Sequence, residues 1–138
     1  MIPKATSVTI CTSQLKECRA FYRQHFHADA IFDCGWYVVL RLGGTEGAPE
    51  VCLMEPREGM PAYSGGVTLN LRYDDADVIH ERLAKAGLTP VVPLENHPWG
   101  DRGFGVIDPA GVMVYCYHPI APSAEFAPFF TERSGLGT

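Results

Sequence analysis

The chain has 138 residues, a length that fits one compact domain or two very small modules sharing a core. Its 46% hydrophobic and 20% charged residues are an ordinary globular composition and exclude an intrinsically disordered chain. The formal net charge of −5 comes without a Lys/Arg cluster, which argues against nucleic acid as a partner.

No apolar run approaches the ~20 residues that cross a bilayer, so no membrane partner is expected. The opening MIPKATSVTICTSQ lacks the apolar core of a signal peptide. Five cysteines without a CxxC pair fit a reducing compartment. A cytoplasmic location is the expectation.

Ser7-Val8-Thr9-Ile10 begins the first extended run. Leu15, Cys18, Phe21 and Tyr22 recur at i, i+3, i+6 and i+7 and predict a helix ending near Phe26. Extended runs follow at 30–33, 36–42 and 50–56, the first two separated by a turn at Asp33-Cys34-Gly35. A linker rich in Gly and Pro comes next. Gly66-Val67-Thr68-Leu69 then opens the pattern again, and Val78, Ile79, Leu83 and Ala86 predict a second helix stopped at Gly87. Further runs are expected at 89–94, 104–107 and 112–118, the last two joined by a turn at Asp108-Pro109-Ala110-Gly111.

The order is therefore βαβββ, twice. The fold class is α+β, with a first module at 1–57, a linker at 58–65, a second module at 66–120 and a tail at 121–138. The tail carries Phe126, Phe129 and Phe130, too apolar for a free end. Docking on the parent domain and reaching a second subunit are both open readings.

Paired βαβββ modules, the helix pattern Leu-x-x-Cys-x-x-Phe-Tyr, and Pro98-Trp99-Gly100-x-Arg102-x-Phe104 followed by Asp108-Pro109-x-Gly111 resemble the vicinal oxygen chelate superfamily. That superfamily includes glyoxalase I, extradiol dioxygenases and the bleomycin-resistance proteins, and the stretch from Pro98 to Gly111 is most similar to the last. The resemblance covers residues 5–119. It implies two curved sheets around a cleft, usually completed by a dimer, so a homodimer is expected.

The resemblance also implies a divalent ion held by His, Gln or Glu, from the first and last strand of each module. Those positions fall on Ser7, Cys52, Gly66 and Tyr115, and none is an ordinary ligand for such an ion. No metal, no cofactor and no catalytic residue is therefore expected. Cys52 alone could take zinc, but one thiolate does not make a site. His97 and His118, near strand ends, are the one credible histidine pair, with Glu55 the repeat equivalent of His118.

Strand alternation separates two faces. Val8, Ile10, Leu53, Val67, Leu69 and Val114 form the set expected to meet the helices. Ser7, Thr9, Cys11, Cys52, Met54, Thr68, Asn70, Arg72, Tyr115 and Tyr117 form the set expected to face the cleft. The candidate ligand-binding residues are Trp36, Cys52, Met54, Asn70, Arg72, Trp99, Arg102, Tyr115 and Tyr117. Trp99 can stack on a ligand ring or cap the core edge; Arg102 can bond an acidic ligand or tie a loop. The leading reading is a metal-free protein that sequesters an aromatic or drug-like small molecule. The alternative is a metal-dependent lyase or oxidoreductase of the glyoxalase or dioxygenase sort with an atypical ligand set.

Overall fold

The computed structural model describes residues 1–45 and 47–131, so the end of the predicted tail, 132–138, lies outside the described residues. Two compact units form, one of Met1–Gly66 with Asp108–Gly111, the other of Val67–Ile107 with the chain from Val112 onward.

The first unit contains β1 (Val8–Cys11), α1 (Leu15–Phe26), β2 (Asp29–Asp33), β3 (Tyr37–Arg41) and β4 (Glu50–Met54). Its strand order is β1-β4-β3-β2; β1 and β4 run parallel, the other pairs antiparallel. Helix α1 packs on β3 and β4 with Leu15, Cys18, Phe21, Tyr22 and Phe26 all buried. Ile10, Val38, Leu40, Val51 and Leu53, at most 4% exposed, supply the sheet's apolar face. Each such side chain contributes about 1.5–3 kcal/mol by leaving water. The helix ends where His27 turns left-handed (φ 53°) and Ala28 N–H donates to Tyr22 O at 3.1 Å.

His25 is buried edge-on to Phe21, because its position continues the apolar stripe. The turn Asp108–Gly111 forms as expected. Asp108 Oδ1 accepts Ala110 N–H at 2.8 Å, and Gly111 (φ 92°) donates to Asp108 O at 2.9 Å. Tyr22 Oη adds a hydrogen bond of 2.6 Å to Asp108 Oδ2, a buried contact across 86 positions.

The second unit repeats the plan: β5 (Thr68–Arg72), α2 (Ala76–Lys85), β6 (Val92–His97), β7 (Asp101–Ile107) and β8 (Met113–Pro119), in the order β5-β8-β7-β6. Phe104, Val106, Val114 and Cys116 are 0–1% exposed on the side where α2 places Ile79 and Leu83. Val67, expected in this core, is 39% exposed because it lies outside the β5 ladder. His80 packs edge-on against Phe104, with centroids 4.9 Å apart.

Both ends of α2 are capped. At the C-terminus Gly87 (φ 92°) donates to Ala84 O, and Leu88 donates to Leu83 O at 3.0 Å. At the N-terminus Asp75 accepts Asp77 N–H at 2.9 Å, and His118 Nδ1 accepts Ala76 N–H at 2.8 Å. His118 thus acts as a second cap, reaching from β8 to a backbone donor that the helix itself cannot satisfy.

Removing that acceptor leaves a partly buried N–H unpaired. His118→Ala should lower unfolding free energy by about 1 kcal/mol, and His118→Asn should recover part of the loss. Urea denaturation followed by circular dichroism measures both.

Candidate functional site

The site grows from the hairpin of β6 and β7. Extended runs were expected at 89–94 and 104–107, but both strands run further and meet at Pro98-Trp99-Gly100. Gly100, at φ 112°, closes the turn by donating to His97 O at 3.0 Å. The tight turn brings His97 directly opposite Asp101 in the ladder.

Three donors converge on the Asp101 carboxylate. Tyr115 Oη donates to Oδ1 at 2.6 Å, and Trp99 Nε1 donates to Oδ2 at 2.8 Å. His97 Nδ1 lies 2.8 Å from Oδ1 and 3.0 Å from Tyr115 Oη. A proton on Nδ1 serves the carboxylate and makes Nε2 the acceptor of the neutral ring. The imidazole stacks on Trp99 with centroids 4.6 Å apart and planes 1° from parallel. Phe126 meets Trp99 edge-on at 6.4 Å, and the chain leading to it is tied down by Ser123 N–H to Pro98 O at 2.8 Å.

Tyr115 reaches Asp101 because β7 carries no side chain in its way. A Cβ on Gly103 would stand 2.7 Å from Tyr115 Oη and 2.7 Å from Cys116 O; one on Gly105 would stand 2.5 Å from Met113 Sδ. Burial, the hydrogen bond to Asp101 and that carboxylate's charge, in this order, raise the Tyr115 pKa well above the ordinary phenol value. Tyr115 is therefore a neutral hydrogen-bond donor throughout the physiological range. Asn70, Asp101, Tyr115 and Tyr117 line a cavity of about 280 Å³, with the two tyrosine rings 5.9 Å apart and 22° from parallel. A larger hollow of about 340 Å³ in the first unit is lined by Ala5, Thr6, Ser7, Arg41, Ala48 and Glu50 among others, and offers no aromatic wall. We take the smaller cavity as the site because donors and rings converge there.

The structure brings Asn70, Tyr115 and Tyr117 together and sets Trp99 on the same carboxylate. Arg72 faces Tyr117 across the β5–β8 ladder, as Asn70 faces Tyr115. Arg102 points to the other face of β7, where Nε meets Asp77 at 2.7 Å and Nη1 meets Asn96 at 3.0 Å. Cys52, Met54 and Trp36 belong to the first unit; the first two are buried, and Trp36 carries the Arg57 guanidinium 3.7 Å from its ring centroid. Asp101 was absent from the expected set, having been read as part of the connection between two strands.

The donor set does not fit the divalent ion that such a fold implies. Ser7 and Gly66 precede their strands and are exposed, and Gly66 has no side chain to offer. Tyr115 is a neutral phenol already committed to Asp101. His97 pairs with Asp101, whereas His118 pairs with Arg102 on the alternate face, so the two histidines cannot share an ion. Among the described residues no three His, Cys, Asp or Glu side chains are grouped so as to hold a metal.

Two βαβββ units, each with a helix on one sheet face and side chains of mixed polarity on the other, define the class of protein. The Glyoxalase/Bleomycin resistance protein/Dioxygenase superfamily model matches residues 4–115, and the chain belongs to that superfamily. A superfamily member from Sphaerobacter thermophilus has a similar structure, with 26% identity, a TM-score of 0.71, and coverage of 86% of this chain and 98% of that one. TnmS3, an antibiotic binding protein from Streptomyces sp. CB03234, shares the fold at 24% identity and a TM-score of 0.68, covering 86% and 97%. A lactoylglutathione lyase from Agrobacterium tumefaciens shares it at 20% identity and a TM-score of 0.65, covering 86% and 96%. An uncharacterized protein of Mycobacterium bovis is 34% identical over 82 residues, 54% of this chain and 53% of its own length. The chain thus spans about half the length of the curated relatives it matches.

Two outcomes test this geometry. Gly103→Ala should cost about 1–3 kcal/mol of stability, because the new methyl must displace Tyr115 or the β8 backbone; thermal denaturation and the tyrosine near-ultraviolet signal report both. A folded-state pKa raised above the unfolded value means that Tyr115's contribution to stability is complete below the ordinary phenol pKa and fades only as pH rises through its own. In alkaline titration of phenolate absorbance, Tyr115→Phe should remove a late component and leave the ionisation near pH ~10 intact.

Proposed function

We propose that this chain is a small-molecule binding protein that sequesters a flat, aromatic, drug-like ligand, as a homodimer and without a divalent metal. The observation that carries the reading is the cavity of the second unit, walled by Tyr115 and Tyr117 and centred on a carboxylate that already receives three donors. A phenol held neutral supplies no base. The same groups suit recognition: the tyrosine rings offer faces to a planar system, and the Asn70 amide offers a donor and an acceptor. The shared fold with an antibiotic binding protein supports this use.

The test is a fluorescence titration of the full chain with a planar, amine-bearing anthraquinone. Ring contacts of this kind are worth about 0.5–1.5 kcal/mol, so Tyr115→Ala and Tyr117→Ala should each weaken binding roughly 2- to 12-fold. Unchanged affinity in a folded Tyr115→Ala protein would count against the cavity. Elemental analysis should find no stoichiometric zinc, nickel, manganese or iron, and chelation should leave the affinity unchanged. One divalent ion per chain, with activity lost on chelation, would replace this reading with a metal-dependent enzyme. Sedimentation velocity checks the dimer.

A further inference from the structure

The first unit buries three sulfur-bearing side chains on the sheet face that α1 does not cover. Cys11 faces Met54 across β1 and β4, and Thr9 faces Cys52; β3 adds Tyr37 beside Met54 and Val39 beside Cys52. Alternation puts Cys11, Cys52 and Met54 on one face, away from the Ile10, Val51 and Leu53 face that α1 covers. Cys11 and Met54 are separated by the ~4.8 Å strand spacing, and Cys52 lies ~6.6 Å along β4 from Met54. These spacings let the flexible thioether and two thiols reach a common point.

The Tyr37 phenol of the same face is hydrogen-bonded to Thr9 Oγ1 at 2.8 Å. The Thr9 hydroxyl favours its ionised form, but Cys52, burial and Cys11 together outweigh this and raise its pKa. Tyr37 lies on the same face, opposite Met54 in the β3–β4 ladder. Cys11, Cys52 and Met54 keep only 6%, 5% and 7% of their surface exposed.

We propose that Cys11, Cys52 and Met54 form a binding site for a soft monovalent metal ion, copper(I), held by two thiolates and one thioether. Sulfur donors select copper(I) over the oxygen- and nitrogen-seeking divalent ions. Three donors suffice for a monovalent ion, whereas a structural zinc wants four. On binding, each thiol releases its proton to water and the copper keeps its oxidation state, so uptake liberates two protons per ion and weakens as pH falls. The other buried thiols are poor competitors: Cys18 and Cys116 are fully buried, and burial pushes their pKa values up to about 11 and about 12. The three residues are not among those that line the ligand cavity.

The test uses the full chain carrying Cys34→Ser, which removes the exposed thiol. Reduced protein is titrated without oxygen against the copper(I)–bicinchoninate complex. One equivalent per chain should be withdrawn from the chelator. Adding Cys11→Ser or Cys52→Ser should weaken the competition at least tenfold, Met54→Leu should weaken it less, and excess zinc should not displace the ion. Because the serine variants sit in a buried face, X-ray absorption of the copper-loaded parent gives a second readout, expected to show sulfur neighbours alone. No withdrawal by the parent, withdrawal unchanged in both serine variants, or nitrogen and oxygen neighbours around copper would each overturn the site.

Discussion

The second unit is organised around one carboxylate. Asp101 keeps 17% of its side-chain surface, and an ionised group so far out of water needs donors to replace its hydration. Tyr115, Trp99 and His97 supply them, each held by a different constraint. Tyr115 needs the bare backbone of Gly103, His97 needs the tight turn at Gly100, and Trp99 is fixed between the His97 ring and Phe126. Loss of any one donor would leave charge unsatisfied, so the four residues act as a unit rather than as separate contacts. The aromatic cavity wall is a consequence of that arrangement.

The two units share a plan but not a chemistry. In both, the first and last strands run parallel and adjacent, and the helix-side face is apolar and buried. On the other face, Thr9 opposite Cys52 in the first unit corresponds to Asn70 opposite Tyr115 in the second. One face thus carries sulfur and hydroxyl groups, the other phenols and a carboxylate. Backbone ladders and helix-side burial hold each sheet in either case, so the opposite face can differ in chemistry without altering the fold.

The architecture was legible because it depends on periodicity. Leu15, Cys18, Phe21 and Tyr22 name a helix face, alternation from Val112 to His118 names a strand, and the Asp108 to Gly111 turn is written in its residue types. The lining of the cavity was legible only in part. Asn70, Tyr115 and Tyr117 follow from alternation in the strands, whereas Asp101 does not. The polar, proline-interrupted run from Glu95 to Gly103 resembles a loop, and local pattern says nothing of a ladder that pairs His97 with Asp101. The alternation of Gly103, Phe104, Gly105 and Val106 was the available signal, since glycine on every second position of a strand marks a close approach by something on that face. The burial of His25 follows the same logic: it is decided by neighbours in space, not by the residue's own polarity.

The poor fit to a divalent ion and the Asp101 cluster both follow from the tyrosine at position 115. A carboxylate or imidazole at position 115 would face the cavity as a free donor. A tyrosine there is longer, crosses Gly103, and spends its hydroxyl on Asp101. The negative charge of this face lies on the hairpin beside the last strand, where Tyr115, Trp99 and His97 surround it. The cavity wall built this way is aromatic, and its one carboxylate is already engaged by neighbouring side chains.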